Sequence, residues 1–142
     1  MTLWVGIDPS TTKCGVAWLG EKEVYTTTIE HNGSDQMKRI FNMLQDIKAE
    51  VFAAYHFDND LRIVCEEPYL PGKSHDTLNR LLGMIQYEFY EEEKRVRMVH
   101  PMTLKLYFGS GKLDKLALAK AIQKKMPNDA MKKYIQTLIK HE

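Results

Sequence analysis

Two acidic residues stand where apolar runs end. Asp8 follows Leu3-Trp4-Val5-Gly6-Ile7, and Glu66 follows Leu61-Arg62-Ile63-Val64-Cys65. A carboxylate at the end of a buried run is costly unless opposite charge or water compensates it. Hard divalent ions such as Mg²⁺ take such oxygens and keep several waters. Acids converging on two ions about 3.5–4 Å apart are the equipment for hydrolysing a phosphodiester. A strand-end acid is also a common turn residue, so each alone says little; the pair says more.

These acids need elements that bring them together. Residues 3–7, 14–19 and 24–29 read as three short strands joined by tight turns, an antiparallel meander. Ser34 or Asp35 is placed to cap a helix running to about Tyr55, with Met37, Ile40, Phe41, Leu44 and Ile47 as its apolar stripe. Residues 61–65 form a fourth strand, suited to a buried parallel position and closed by Pro68. A helix from Ser74 or His75 to Lys94 carries Leu78, Leu81, Leu82, Ile85 and Phe89. Residues 96–99 make a fifth strand, and helices are expected over 102–107, 112–126 and 128–140. An antiparallel three-strand start followed by strands alternating with helices predicts an α/β fold, a five-stranded mixed sheet flanked by helices, within a single domain spanning 1–142.

Composition narrows the setting. The chain has 142 residues, 44% hydrophobic and 27% charged, as ordinary water-soluble domains do. No apolar run approaches the roughly 20 residues of a membrane span, and MTLWVGIDPS lacks the features of a signal peptide. Cys14 and Cys65 lie in apolar runs, not in a paired motif; a disulfide is conceivable, but buried reduced thiols and a cytoplasmic location are expected. Net charge is only +1, yet it is unevenly distributed. Residues 1–93 carry 8 Lys/Arg against 16 Asp/Glu, a net of −8, and residues 94–142 carry 12 against 3, a net of +9. Such asymmetry suits a polyanion-facing side in the last third, although Lys-rich amphipathic helices also serve plain solubility.

The local motifs carry a resemblance. Gly6-Ile7-Asp8-Pro9-Ser10-Thr11-Thr12-Lys13-Cys14-Gly15-Val16-Ala17 resembles the opening motif of RuvC-type Holliday-junction resolvases, and Val64-Cys65-Glu66-Glu67-Pro68-Tyr69 is similar to their second. Pro101-Met102-Thr103-Leu104-Lys105 with Gly109-Ser110-Gly111-Lys112-Leu113-Asp114-Lys115 resembles the segment leading into the later helices. The likeness spans roughly residues 3–131 and implies an RNase H-like fold. It further implies a Mg²⁺- or Mn²⁺-dependent endonuclease with two ions per site, making paired nicks in branched DNA and leaving 3′-hydroxyl and 5′-phosphate ends. Metal ligands on this basis are Asp8, Glu66 and Asp129, with Glu67 the neighbouring alternative to Glu66. Strand alternation turns Glu66 and Glu67 oppositely, so one of them faces the ions.

Lys105 and Lys115 fall where the family has lysines near the cleaved phosphate, and Lys112 belongs to the same DNA-facing segment. Tyr69 and Lys73, in the loop after Glu66, suit base stacking and phosphate contact. Ser10, Thr11 and Thr12 could touch a phosphate or hydrogen-bond within their turn. The last family motif departs here. Asn128-Asp129-Ala130-Met131-Lys132 supplies one acid where the family usually has two acids, or a histidine and an acid, three residues apart. Asp114 is the reserve ligand, and His141 and Glu142 are weaker ones.

Paired cuts by a domain with one centre imply a two-fold homodimer, to which the stripe from Leu78 to Phe89 could contribute if it does not pack in the core. Small size and the short final motif fit a viral or phage variant working in a bacterial cell. Two other readings compete. One is a non-catalytic RNase H-like DNA-binding or regulatory protein, supported by the single acid of the final motif. The other rests on Gly6 to Thr12, which also resembles the phosphate loop of actin-like sugar kinases. Those need a second domain for which the chain has no room, so no nucleotide cofactor is expected.

Overall fold

The computed structural model describes residues 2–20, 24–54, 60–67, 76–90, 96–101, 103, 109, 114–125, 132, 135–136 and 139–140. The described elements run β1 (Thr2–Asp8), β2 (Lys13–Leu19), β3 (Val24–Glu30), α1 (Gln36–Ala54), β4 (Asp60–Glu66), α2 (Asp76–Glu88), β5 (Val96–Val99) and α3 (Lys115–Lys125). The strands form one five-stranded mixed sheet in the order β3-β2-β1-β4-β5. The expected meander is present, because β1 pairs antiparallel with β2 and β2 with β3. β4 then joins β1 in parallel, with Val5 opposite Ile63 and Ile7 opposite Cys65.

The chain divides into two compact units, Met1–Met98 and Val99–Glu142. In the first, alternation along the strands sends Leu3, Val5 and Ile7 of β1, Cys14 and Val16 of β2, and Leu61, Ile63 and Cys65 of β4 into one buried face. Ile29 of β3 and Val96 of β5 join that core, and α1 and α2 cover it with Ile40, Met43, Leu44, Ile47, Val51, Leu81, Leu82 and Ile85, with Phe89 just past the end of α2. Each fully buried aliphatic or aromatic side chain contributes about 1.5–3 kcal/mol. The two helices run side by side in the same direction. Thr77 at the start of α2 donates to Gln36 at the start of α1 (2.9 Å), while Lys48 and Glu88 pair further along (3.2 Å).

Two expectations about these helices change. The buried stripe of α1 is rotated: Met43 and Val51 are fully buried, whereas Met37 and Phe41 are about half exposed. At 100° per residue these two fall on the flank of an arc centred between Ile40 and Ile47, so their apolar character does not bring them inside. α2 ends at Glu88 instead of Lys94, with the Phe89 N–H donating to the Ile85 carbonyl (3.2 Å) and Phe89 turning into the core beside Phe52. Its stripe is core: Leu81, Leu82, Ile85 and Phe89 are buried and Leu78 packs against them. Asp35 is the cap of α1, accepting from the Lys38 N–H (3.1 Å).

In the second unit, α3 begins at Lys115, three residues later than expected. Asp114 sets that start, its carboxylate accepting from the Ala117 N–H (2.8 Å). Residues 132, 135–136 and 139–140 are also helical. No described helix is long and apolar enough to cross a membrane.

Candidate metal centre

The parallel register of β1 and β4 decides where the acids stand. Ile7 and Cys65 are partners and both are buried, so the next residues, Asp8 and Glu66, sit beside each other on the opposite face of the sheet. Adjacent strands are about 4.8 Å apart, so one ion bound at about 2.0–2.1 Å from oxygen is within reach of both carboxylates. Asp8 is exposed and Glu66 half-buried. Glu67 lies just beyond the strand and is exposed.

On its other side Asp8 faces Gly15. A Cβ built at Gly15 would lie 3.6 Å from the Asp8 Cβ, an ordinary van der Waals contact, so glycine keeps this side of Asp8 free of side-chain atoms from position 15. An acid pair next to vacant space on a sheet face is a fitting place for a hard cation and its waters. The charge is felt beneath the sheet. Burial pushes the Cys65 thiol up to about 12, and Cys14, Asp8 and Glu66 add to the rise. Burial likewise pushes Cys14 up to about 12; a hydrogen bond with the Ser10 backbone opposes the rise and Asp8 adds to it. Both cysteines are buried and free, as their apolar runs implied.

The turn after Asp8 is tightly held. Ser10 Oγ accepts from the Thr12 and Lys13 N–H groups (3.2 and 3.1 Å), so the hydroxyl serves the turn as one of its two sequence readings had it. The Thr12 carbonyl accepts from the His31 N–H (2.9 Å), and the Thr11 carbonyl from Arg39 Nε (2.9 Å). Pro9, Ser10 and Thr11 form one wall of an open groove of about 380 Å³, completed by Arg39, Asp76, Thr77 and Leu78. Nothing in the sequence marks Arg39, because its partners are backbone carbonyls whose positions only the fold defines.

Of the remaining candidates, Lys115 is exposed in the first turn of α3. A cation there is disfavoured by the helix dipole, so helix stability does not account for it. Asp114 is committed to capping α3, a sufficient structural reason for that acid. Asp129, Tyr69, Lys73, Lys105 and Lys112 lie outside the described residues. Among the described residues no three of His, Cys, Asp and Glu form a group that could hold a metal ion. In the second unit Lys115, Lys120, Lys124, Lys125, Lys132 and Lys140 are exposed, and Asp114 is the one described acid, which makes its described surface strongly basic.

No family model matches the sequence, and no curated protein sequence matches it. Solved structures do. The chain is similar to RuvC of Thermus thermophilus, with a TM-score of 0.65 and 16% identity over 86% of this chain and 78% of that one. It is also similar to the T. thermophilus RuvC in complex with a Holliday junction substrate, with a TM-score of 0.68 and 14% identity over 87% and 78% of the two chains. At this identity the likeness concerns the fold. Taken with the strand order, it shows that the chain has a RuvC-like, RNase H-like fold.

Proposed function

We propose that the protein is a metal-dependent endonuclease that makes paired nicks in four-way or otherwise branched DNA. The observation that carries this reading is the placement of Asp8 and Glu66 side by side at the ends of parallel strands, next to the space left by Gly15. The fold shared with a protein whose structure includes a Holliday junction supports the choice of substrate.

Asp8 and Glu66 would hold Mg²⁺ or Mn²⁺, with Asp129 as a third ligand and two ions per site. Bound there, the metal would polarise the phosphate and lower the pKa of water. Asp8 is exposed at the strand end beside Gly15, so an ion held there would be open to a phosphate from solvent. Water adds to phosphorus as the P–O3′ bond breaks, giving 3′-hydroxyl and 5′-phosphate ends. Lys115 stabilises charge on the phosphate, and Lys105, Lys112, Lys73 and Tyr69 hold the strands and unstacked bases. The exposed lysines of the second unit supply the remaining polyanion-facing charge. Residues 1–142 act together as one nuclease domain and pair as a homodimer, which gives two centres for two cuts. Since Leu81, Leu82, Ile85 and Phe89 lie in the core, the exposed Met37, Phe41, Phe52 and Tyr87 are the large apolar side chains of α1 and α2 left for that contact.

The test is cleavage of a mobile four-way junction by purified protein with Mg²⁺ or Mn²⁺. Symmetric nicks, lost in Asp8→Asn while junction binding persists, are expected. Binding without cleavage in either ion would defeat the enzymatic reading. That outcome would favour the non-catalytic DNA-binding alternative, whose specific support is the single acid of the final motif.

A further inference from the structure

We infer that Arg39 is a positioning residue that holds the Asp8 loop in its metal-binding form. Asp8 is the last residue of β1, and only Pro9 to Thr12 separate it from Lys13, the first residue of β2. This short turn is fastened from outside at two consecutive carbonyls: Thr12 by the His31 N–H and Thr11 by Arg39 Nε. The second fastening comes from α1, and the same guanidinium donates through Nη1 to the Gly33 carbonyl (2.7 Å). Arg39 therefore ties the turn after Asp8 and the connection between β3 and α1 to one helix.

The geometry is specific to arginine. Its rigid planar fork serves two carbonyls at once, whereas a lysine ammonium is a point donor on a flexible stem. Gly33 has φ of +140°, a conformation that L side chains rarely adopt, and its carbonyl is one of the two that Arg39 meets. Among the described residues no carboxylate pairs with Arg39; its charge is spent on backbone oxygens, where charge-assisted bonds are strong. The residue is half-buried and forms part of the groove wall next to Pro9 and Ser10. A helix that grips the segment directly after a ligand limits how far that ligand can swing. Groups that hydrogen-bond a metal ligand directly typically change metal affinity by about 10–100-fold, and Arg39, acting on the backbone three residues beyond Asp8, is expected at the lower end of that range.

The inference rests on the reading of Asp8 as a metal ligand, and the experiment separates the two. Arg39→Met and Arg39→Lys are compared with Lys48→Met, which breaks the α1–α2 ion pair without touching the turn. Two quantities are read: Mn²⁺ half-saturation by electron paramagnetic resonance, and amide exchange of Thr12 and Lys13. Arg39→Met is expected to raise the half-saturation about tenfold and speed exchange at both amides, with unchanged affinity for a four-way junction in the absence of metal. Arg39→Lys should fall between it and the parent, and Lys48→Met should match the parent. Wild-type Mn²⁺ affinity and exchange in Arg39→Met, or an equal loss in Lys48→Met, would overturn the inference. If the parent binds no Mn²⁺, the metal reading and Arg39's proposed role in it both fail. Faster exchange in Arg39→Met alone would then leave Arg39 only as a loop brace.

Discussion

Asp8 and Glu66 end adjacent strands whose backbones lie about 4.8 Å apart, so their mutual repulsion without a cation should cost stability, and that cost can be measured. Coulomb's law gives about 0.8 kcal/mol at this separation in bulk water and about 3 kcal/mol at an effective dielectric constant of 20. Asp8 is exposed and Glu66 half-buried, so screening places the repulsion near the lower end, about 1 kcal/mol. Asp8→Asn should therefore raise the melting temperature of metal-free protein, by about 3–5 °C for a chain of this size, and Glu66→Gln is measured beside it. Added Mg²⁺ reverses the ranking. At ten times its dissociation constant it stabilises the parent by about 1.4 kcal/mol, and both variants should lose this increment. Glu67→Gln, altered just beyond the strand, should melt like the parent and keep the Mg²⁺ response. The assay is thermal unfolding followed by circular dichroism, in EDTA and across a Mg²⁺ titration. If Glu67→Gln loses the Mg²⁺ response while Glu66→Gln retains it, the assignment of faces is wrong. If Asp8→Asn gains no stability in EDTA, the carboxylates are not close enough to repel.

Gly15→Val places a branched side chain where even a bare Cβ would lie 3.6 Å from that of Asp8; it should weaken Mg²⁺ stabilisation while preserving the far-ultraviolet spectrum, and an unchanged titration would argue against a ligand space there. Burial raises the folded-state pKa of both thiols from about 9 to about 12, so the folded state keeps protons that the unfolded chain has lost. Their contribution is fully present below about pH 9 and is lost as pH rises through about 12, a fall of a few kcal/mol. Urea unfolding across that range should show it, and joint replacement of Cys14 and Cys65 by Ala should flatten the slope even though it lowers stability overall. Asp114→Ala removes the cap of α3 and should cost about 1 kcal/mol, seen as faster amide exchange in α3, with an unaltered Mg²⁺ response. A lost Mg²⁺ response with normal exchange would instead make Asp114 a ligand.

Much of this was readable along the chain because the signals are local. Apolar runs ending in Asp8 and Glu66 locate two strand ends, turn residues mark the meander, and the charge imbalance marks the basic last third. Local patterns establish that an element exists better than they establish its phase or end. The stripe of α1 illustrates this: Met37 and Phe41 satisfy helical spacing, but only the packing of α1 on β2, β3 and α2 decides which arc is inside. Asp114 is similar, since a lone Asp reads equally as ligand or cap until an N–H is placed against it.

What sequence alone determined is the inventory: the acids, the glycine at position 15, the two shielded thiols and the lysine-rich end. What the tertiary structure decided is their registration. β1 and β4 lie more than fifty residues apart, and a one-residue slip would turn Glu66 into the core and Cys65 towards Asp8. That slip is opposed by burial of Leu61, Ile63 and Cys65 under two helices, a non-local term that no window of sequence contains. The hold of Arg39 on the Thr11 and Gly33 carbonyls has the same origin, because backbone oxygens have no residue identity and acquire meaning only when the chain has folded around them.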